Sequence, residues 1–338
     1  MKKFLNIFLT CIVLFSALYA SGCVKDDDYY LRVADGYIIR ETEGGLALMG
    51  AAKTLVEDNV FVVPQEIKGM PVVSIGYHKR PLWPTDDWDA VLRFRANNDI
   101  KKIVINHDIR IHPYALGELR YLCEIEMNSS LFKSEGSSTF GAYNLLGLTA
   151  KAGSTDALNN WMGDARELRT LRLQAEQLKR LMLRYPEKLI AYFAGGVKSI
   201  TDTFSRYKNL SVFVVPETVN EIASGTFENC SLDLYFRTTE EDCVESIKNA
   251  LPADCNIVWG FKDEIIVFDA LNESGIIFEE TNKNYKVVAN GGKIQCPETP
   301  SKDGCVFDGW YSDYTYSKKW DFENDKVSDS MTLVAKWI

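Results

Sequence analysis

Two stretches with one pattern, Ile100-Lys101-Lys102-Ile103-Val104-Ile105 and Leu122-Cys123-Glu124-Ile125-Glu126-Met127, decide the fold of this chain. They lie 22 residues apart, and apolar residues coincide at the first, fourth and sixth positions. Polar and apolar residues alternate in Glu124-Ile125-Glu126-Met127, which predicts a short β-strand with one buried face. A strand that recurs at this interval predicts a structural repeat.

The same pattern continues through the middle of the chain. We call each occurrence a rung and its first apolar residue the lead residue. The lead residues are Ile100, Leu122, Leu145, Leu168, Leu189, Leu210 and Leu232. Their spacings are 22, 23, 23, 21, 21 and 22 residues, which is too regular for chance placement of a common residue. One strand and one turn cannot bury an apolar side alone, so the repeat predicts a solenoid whose coils share one core.

Segments at both ends of this repeat resemble a known family. Residues 61–76, which contain Val63-Pro64 and Ile75-Gly76, and residues 214–230, which contain Val215-Pro216, resemble leucine-rich repeats of the BspA type. The resemblance implies a leucine-rich-repeat solenoid over residues 56–262. The middle rungs depart from the family pattern, because no proline follows Ile105 or Met127. The fold is therefore a firmer expectation than the number of repeats.

A long helix is an alternative for residues 155–185. Apolar residues recur there at helical spacing, and Pro186 would end such a helix. The members of this stripe are Leu158, Trp161, Ala165, Leu168, Leu171, Ala175, Leu178, Met182 and Tyr185. Leu168 and Leu189 also keep the register of the rungs, which favours repeats, but periodicity alone leaves both structures open.

The N-terminus is typical of an exported protein. Residues 1–22 contain two lysines, an apolar stretch and a small-residue end, which indicates a secretory signal peptide. Ala20-Ser21-Gly22-Cys23 resembles the lipobox of bacterial lipoproteins, which implies cleavage before Cys23 and lipidation of its thiol. Residues 24–28 resemble an acidic tag for surface display on the outer membrane. We therefore expect a lipid anchor at Cys23, an acidic tether and an N-terminal cap over residues 23–55.

The C-terminal region has a different pattern. Residues 304–311, which end in Gly309-Trp310-Tyr311, and the later segments Trp320-Asp321-Phe322 and Thr332–Trp337 resemble the Listeria–Bacteroides repeat, also called the internalin B-repeat. The resemblance implies a small β-grasp-like module over residues 276–338, with a linker at 263–275. The tryptophans could stack on sugars, but a module of this size needs large aromatic residues for its core. The predicted fold class is mainly β with short helices and turns, a solenoid followed by this module.

Strand alternation predicts which rung residues face outward. If the lead, fourth and sixth positions point inward, the third and fifth form the outer face of the sheet. From this face we take as candidate binding residues Lys102, Glu124, Glu126, Arg172, Phe193, Val212, Val214 and Phe236. The row becomes apolar toward its C-terminal end, which indicates a covered surface or a partner site. Two explanations compete with a partner site. The register could shift by one residue at the last rung, or the C-terminal module could dock on this part of the row.

Composition and residue types limit the classes of protein and of partner to be considered. The chain of 338 residues is 46% hydrophobic, which excludes a wholly disordered protein, and its formal charge of −9 disfavours nucleic acid as a partner. Three histidines and no recognisable catalytic, metal-ligand or cofactor motif lead us to expect no enzyme, no metal and no cofactor. The exported compartment permits disulfides, and Cys243–Cys255 and Cys296–Cys305 are compatible pairings.

The expected function is binding of an extracellular protein or glycan by a surface lipoprotein, with the membrane reached through the lipid on Cys23. This follows mainly from the resemblance, since a fold alone does not fix function. The alternative is glycan capture for a nutrient-uptake system, which would need exposed aromatic residues such as Trp83 and Trp88, or the tryptophans of the module.

Overall fold

The computed structural model describes residues 24–26, 29–78, 91–92, 94–112, 114–129, 141–154, 158–159, 165–253, 255–272, 275–278 and 282–338. The predicted signal peptide, Cys23, Trp83 and Trp88 lie outside the described residues.

The described residues are mainly β-strand. The strands are β1 (Val24–Asp26), β2 (Tyr29–Ala34), β3 (Tyr37–Thr42), β4 (Gly45–Ala51), β5 (Val60–Val62), β6 (Glu66–Ile67), β7 (Met70–Ile75), β8 (Tyr77–His78), β9 (Val91–Leu92), β10 (Lys102–Ile105), β11 (Arg110–Ile111), β12 (Glu124–Met127), β13 (Gly147–Ser154), β14 (Thr170–Leu178), β15 (Ala191–Gly195), β16 (Ser199–Ile200), β17 (Val212–Val215), β18 (Glu221–Ile222), β19 (Asp233–Phe236), β20 (Ile257–Val258), β21 (Glu264–Asp269), β22 (Tyr285–Val288), β23 (Phe307–Tyr311) and β24 (Met331–Trp337). Helical structure includes α1 (Glu245–Ala250) and 3-10 turns at Lys53–Leu55, Pro186–Lys188 and Phe204–Arg206.

The rungs form a parallel sheet in the predicted register. Strands β5, β10, β12, β13, β14 and β15 pair side by side, and β17, β19 and β20 form a second parallel group. Lys102 pairs with Glu124, Glu124 with Gly147, and Gly147 with Thr170, at separations of 22, 23 and 23 residues. These separations equal the spacings of the lead residues, so the predicted solenoid and fold class are confirmed.

The lead residues lie in one continuous core. Their exposed fractions range from 0% for Ile100 to 4% for Leu145 and Leu210, and all seven belong to the same apolar cluster. Large aromatic residues fill this core toward the C-terminal rungs, where the rings of Phe204 and Phe213 lie 4.7 Å apart. Burial of a leucine side chain contributes about 2 kcal/mol, so the spine of lead residues is a main source of stability.

A second ladder runs along another side of the solenoid. Strand β16 pairs in parallel with the end of β14 and with β18, where Ile200 lies beside Leu178 and Ile222. At the N-terminal end, β7 pairs in parallel with β11. Each coil in these regions therefore contributes to two hydrogen-bonded ladders, which fixes the path of its turn.

Residues 165–185 contain repeats, not a long helix. Residues 158–159 are helical, but Thr170–Leu178 form β14, which pairs with β13 on one side and β15 on the other. Leu168 is buried together with the other lead residues. Ladder hydrogen bonds and the shared core therefore override the local helical spacing in this segment.

An antiparallel sheet closes the N-terminal end of the solenoid. Strands β1 to β4 pair in sequence order, and β4 joins β7 in parallel. Val24–Asp26 form β1, so part of the segment predicted as an acidic tether is a strand of this cap instead. Pairing with β2 satisfies its backbone groups in the sheet, which explains the difference.

The C-terminal module is a four-stranded mixed sheet. Its order is β22, β21, β24 and β23, with β21 parallel to β24 and the outer pairs antiparallel. The prediction of a linker at 263–275 is therefore wrong for Glu264–Asp269, because these residues are the buried strand β21. The run Ile265-Ile266-Val267-Phe268 is too apolar for an exposed linker and supplies the module with core residues.

Candidate functional site: the sheet face and the groove beside the module

The module docks on the outer face of the solenoid sheet. Ile190, Val212 and Tyr235 of the solenoid form one apolar cluster with Ile265 and Tyr285 of the module. Phe193 and Val214 pack against the same cluster. The apolar end of the outer row is therefore covered by the chain itself, which was one of the two readings that the sequence left open.

The register shifts by one residue at the last rung. Val212 pairs with Asp233 and Val214 with Tyr235, a separation of 21 residues where the lead residues are 22 apart. Asp233 and Tyr235 consequently face the module, while Phe236 points into the solenoid core with an exposed fraction of 2%. Phe236 was predicted to face outward, and that prediction is wrong because the strand begins one residue earlier in the repeat.

A buried ion pair joins the two parts. Arg169 donates to Asp269 from Nε at 2.5 Å and from Nη2 at 2.7 Å, and the Asp269 side chain is fully buried. The Tyr314 hydroxyl donates to the same carboxylate at 2.9 Å. Burial would lower the pKa of Arg169, but the hydrogen bond and charge of Asp269 outweigh it and raise that pKa. Such a network fixes the docking geometry, because each buried charge has its partners.

Further polar contacts lie at the C-terminal end of the interface. The Tyr285 hydroxyl donates to Asp233 at 2.6 Å, and Arg237 donates to Glu264 at 2.9 Å. Burial, followed by the hydrogen bonds to Asp233 and Tyr235, raises the pKa of Tyr285, so its hydroxyl remains a donor. The interface thus carries two more bonds between charged and polar groups that are shielded from water.

Close approach of the module requires a small residue in β13. A Cβ atom on Gly147 would lie 3.2 Å from Tyr314 Cδ2 and 3.3 Å from Glu124 Cγ. Beside this contact, Cys123 Sγ lies 3.5 Å from the Tyr314 carbonyl oxygen, and burial raises the pKa of the Cys123 thiol to about 12. Gly147 therefore provides the space in which Tyr314 packs on the sheet.

A groove remains open between the uncovered part of the sheet and the module. Two adjoining cavities of about 500 Å³ and about 160 Å³ share Thr149, Arg172 and Phe193 in their walls. Gln174 and Lys151 line the larger cavity, and both side chains are exposed. This groove is concave and is lined by charged, polar and aromatic side chains, and it is our candidate binding site.

Arg172 and Phe193 form the centre of the groove. The Arg172 guanidinium lies 4.8 Å from the centre of the Phe193 ring. Its Nη1 donates to Asp329 at 2.9 Å, and its Nη2 donates to the Ser330 carbonyl oxygen. These bonds hold the cation at the junction of solenoid and module, where a ligand in the groove would meet its charge and the ring beside it.

The N-terminal wall of the groove is charged. Lys102 Nζ lies 2.8 Å from Glu126 and 3.6 Å from Glu124, while Glu124 accepts a hydrogen bond from the Tyr314 backbone N–H at 2.6 Å. Burial raises the pKa of Glu124, although Lys102 opposes this effect. Burial would also raise the pKa of Glu126, but its hydrogen bonds to Lys102 and Asn128 lower it. The three groups form a compact ionic cluster that spans two rungs.

The predicted site residues divide into three sets. Those that line the groove are Lys102, Glu124, Glu126, Arg172, Phe193 and Val214. Val212 is buried under the module and Phe236 in the solenoid core.

Sequence reasoning missed the module residues that bind the sheet. Asp269 ends the apolar run of β21, and such a run bounded by polar residues is typical of a buried strand, so a signal for it was present. Tyr314 and Tyr285 lie in segments without a distinctive pattern. Their roles depend on docking, which no local pattern encodes.

The structure also bears on the cysteines, the module tryptophans, and the question of metal sites and membrane-spanning helices. Within the described residues, the six cysteines Cys123, Cys230, Cys243, Cys255, Cys296 and Cys305 are free thiols. Trp310 and Trp320 are buried in the module, and Trp337 packs against the same cluster, so the core interpretation of the tryptophans is confirmed. Among the residues with described positions, no cluster of His, Cys, Asp and Glu suits a metal ion, and no helix has the length and apolarity to cross a bilayer.

Comparison with known proteins supports the assignment of the module. Residues 265–336 match the model of the Listeria-Bacteroides repeat domain. This match begins at β21, in agreement with the strand order of the sheet and earlier than the predicted start at residue 276.

Two similar proteins come from Evansella cellulosilytica. One, named "Putative membrane protein", is 35% identical over 153 residues, which are 44% of this chain and 20% of that protein. The other, named "Putative Gly-rich membrane protein", is 49% identical over 47 residues, 14% of this chain and 5% of that protein. The chain therefore spans a fifth or less of the length of these relatives.

A similar solved structure is a leucine rich cell surface protein from Faecalibacterium prausnitzii. It shares 13% identity with this chain at a TM-score of 0.32, and the alignment covers 62% of this chain and 55% of that structure. The described strands and their register show, independently of this likeness, a solenoid of parallel strands, and the family match identifies residues 265–336 beside it as similar to the Listeria-Bacteroides repeat domain.

Proposed function

We propose that this protein is a non-catalytic surface lipoprotein that binds an extracellular protein or glycan in the groove between its solenoid and its module. The groove carries the proposal, because it combines a concave wall, an aromatic ring at Phe193 and a positioned cation at Arg172. A rigid solenoid suits this role, since it offers an extended surface that changes little on binding. The repeat architecture, a solenoid followed by a Listeria-Bacteroides repeat domain, is consistent with a non-catalytic surface protein and supports the proposal.

A substitution that fills the groove tests the proposal. Gln174→Trp places a large side chain on the exposed wall of the groove, and Gln177→Trp places the same side chain further along β14, outside it. Arrays of extracellular proteins and of glycans serve as probes. We expect a ligand whose affinity falls about tenfold or more with Gln174→Trp, because the ligand then loses its contact surface, and stays unchanged with Gln177→Trp.

Two results would refute the binding proposal. One is the absence of any ligand on both arrays, and the other is a ligand that binds the Gln174→Trp variant as well as the original chain. Recovery of a chemically altered ligand would refute the non-catalytic part of the proposal alone.

Anchoring through Cys23 is a separate part of the proposal. Each methylene group of an acyl chain that is buried in a membrane contributes about 0.8 kcal/mol to the free energy of membrane binding. Two or more chains therefore give stable attachment. We expect the original chain in the outer-membrane fraction and Cys23→Ala in the soluble fraction. Protease treatment of intact cells should remove the protein if it is displayed on the surface, and survival of the protein would contradict display.

The module tryptophans do not support the alternative of glycan capture for nutrient uptake. Trp310 and Trp320 are buried and hold the module together, so they offer no face to a sugar.

A further inference from the structure

A basic and aromatic strip runs along the edge of the solenoid where the rungs begin. It consists of the two residues before each of five consecutive lead residues, and of the neighbouring pair Arg184-Tyr185. The members of this edge strip are Arg120, Tyr121, Tyr143, Asn144, Arg166, Glu167, Arg184, Tyr185, Glu187, Lys188, Lys208 and Asn209.

Contacts between successive coils show that the strip is continuous at its N-terminal end. Asn144 Nδ2 donates to the Arg120 carbonyl oxygen at 2.8 Å. In the next coil the Arg166 guanidinium lies 5.7 Å from the centre of the Tyr143 ring.

The strip continues through the next two coils. Lys188 Nζ donates to Glu167 at 2.6 and 2.7 Å and lies 5.4 Å from the centre of the Tyr185 ring. Asn209 Nδ2 donates to the Glu187 carbonyl oxygen at 2.6 Å. Neighbouring parallel strands lie about 4.8 Å apart, so the five coils spread these side chains over about 19 Å.

The charge of the edge strip opposes that of the whole chain. The strip has five cations and two carboxylates, whereas the chain has 38 Lys and Arg against 47 Asp and Glu. Lys188 already neutralises Glu167. Across the described parts of the chain, no carboxylate lies within ion-pair distance of Arg120, Arg166 or Lys208. An acidic protein with a row of such exposed cations has a local attraction for anions.

The tyrosines of the strip are exposed. Tyr121, Tyr143 and Tyr185 have exposed fractions of 57%, 40% and 38%, and they alternate with the cations along the edge. The module covers the adjacent sheet where Tyr314 packs on Cys123 and Leu146 of the solenoid, but the three tyrosines stay exposed. Aromatic rings of this kind combine an apolar face with a polar tip and serve as contact surfaces in many interfaces.

We propose that the edge strip binds an extended anionic polysaccharide, whose carboxylate or sulfate groups pair with the cations while its sugar rings lie on the tyrosine faces. The surface is shallow and its charges are distributed, so each single ion pair is weak and only a polymer engages several at once. An acidic polypeptide would use the charges but not the rings. Nucleic acid is disfavoured by the repulsion from the rest of this acidic chain.

The edge strip is separate from the groove of the proposed function. None of its residues lines either cavity. The two proposals can therefore fail independently, and the variant Gln174→Trp, which blocks the groove, should bind the polysaccharide unchanged.

Binding of the full chain to heparin and to polygalacturonate tests the inference. Heparin supplies sulfate groups and polygalacturonate only carboxylates, so the pair identifies the anion. We expect binding to at least one of them that weakens with added salt and falls about tenfold or more in Arg120→Glu/Arg166→Glu. The matched control Lys262→Glu/Lys326→Glu reverses two exposed cations elsewhere and should leave binding unchanged.

A second variant separates a sugar polymer from other polyanions. Tyr143→Ala should weaken polysaccharide binding several-fold, while polyglutamate and single-stranded oligodeoxythymidine bind the original chain weakly or not at all. Thermal unfolding of each variant confirms that the fold is intact.

Three outcomes would overturn the inference. They are no binding of either polysaccharide, equal losses in the strip and control variants, and polyglutamate or oligodeoxythymidine binding as tight as that of the polysaccharides.

Discussion

At the scale of single residues, Asp269 decides how the module attaches to the solenoid. Its buried carboxylate accepts two hydrogen bonds from Arg169 and one from Tyr314. A buried charge is tolerated only with such partners, and removal of one partner leaves the others unsatisfied. The contact therefore fixes the position of the module more strictly than apolar packing alone.

Replacement of Asp269 by alanine should destabilise the protein strongly. The change removes the partner of Arg169, whose side chain is only 25% exposed, and this costs about 3–5 kcal/mol in the free energy of unfolding. Asp329→Ala is the control, because Asp329 pairs with Arg172 but is 68% exposed, and a loss below about 1 kcal/mol is expected. Denaturant unfolding measures both changes, and similar losses in the two variants would contradict the assigned role of Asp269.

The Tyr192 hydroxyl gives a prediction of the opposite sign. Tyr192 is buried in the solenoid core, and its hydroxyl has no hydrogen-bond partner among the described residues. Burial and the charge of Asp202 raise its pKa well above the ordinary value, so the group is neutral. Tyr192→Phe should therefore raise the free energy of unfolding by about 1 kcal/mol. A loss of stability in denaturant unfolding would show that the hydroxyl contributes a favourable interaction.

At the scale of elements, the rungs could be predicted from sequence because the residue pattern that specifies each strand is local and recurs in every repeat. The lead residues recur at the spacing of the strand partners, and strands such as β12 carry the alternation that a half-buried strand requires. The last rung departs because Asp233 and Tyr235 face the module, a contact that only the assembled molecule provides. The linker prediction is wrong for β21 because periodicity alone does not identify a short apolar run, although such a run bounded by polar residues is typical of a buried strand.

Truncation of a lead residue should affect the whole solenoid. Leu189 is fully buried in the continuous core, and Leu189→Ala leaves a cavity that costs about 2–5 kcal/mol. Met182 lies one coil earlier with 63% of its surface exposed, so Met182→Ala should cost less than about 0.5 kcal/mol. Thermal or denaturant unfolding separates the two variants, and a small effect of Leu189→Ala would contradict a shared spine.

Gly147 provides a test of docking at the level of one strand. Gly147→Val would push against Tyr314 and Glu124, and we expect calorimetry to resolve a separate, earlier transition of the module. Gly195→Val is the control in β15, where the nearest atom to an added Cβ is an ordinary 3.6 Å away. A single unchanged transition in Gly147→Val would show that Tyr314 does not need this space.

At the scale of the whole molecule, the solenoid and module form one body with a partly covered sheet face. The apolar end of the face holds the module, and the remaining part forms the groove centred on Arg172 and Phe193. Sequence reasoning could place the candidate residues on one face, since alternation is local. It could not divide them into covered and open sets, because the division depends on contacts between residues far apart in the sequence, such as Val212 with Ile265 and Arg169 with Asp269.

The reactivity of the Cys123 thiol tests the docked arrangement most directly. Cys123 is buried where Tyr314 packs on the sheet, and burial raises its pKa to about 12, whereas Cys296 is an exposed thiol of the module. Alkylation of the folded chain by iodoacetamide, followed by mass spectrometry, should modify Cys296 rapidly and Cys123 only at the rate at which the module opens or the protein unfolds. Modification of Cys123 as fast as Cys296 under native conditions would contradict the account.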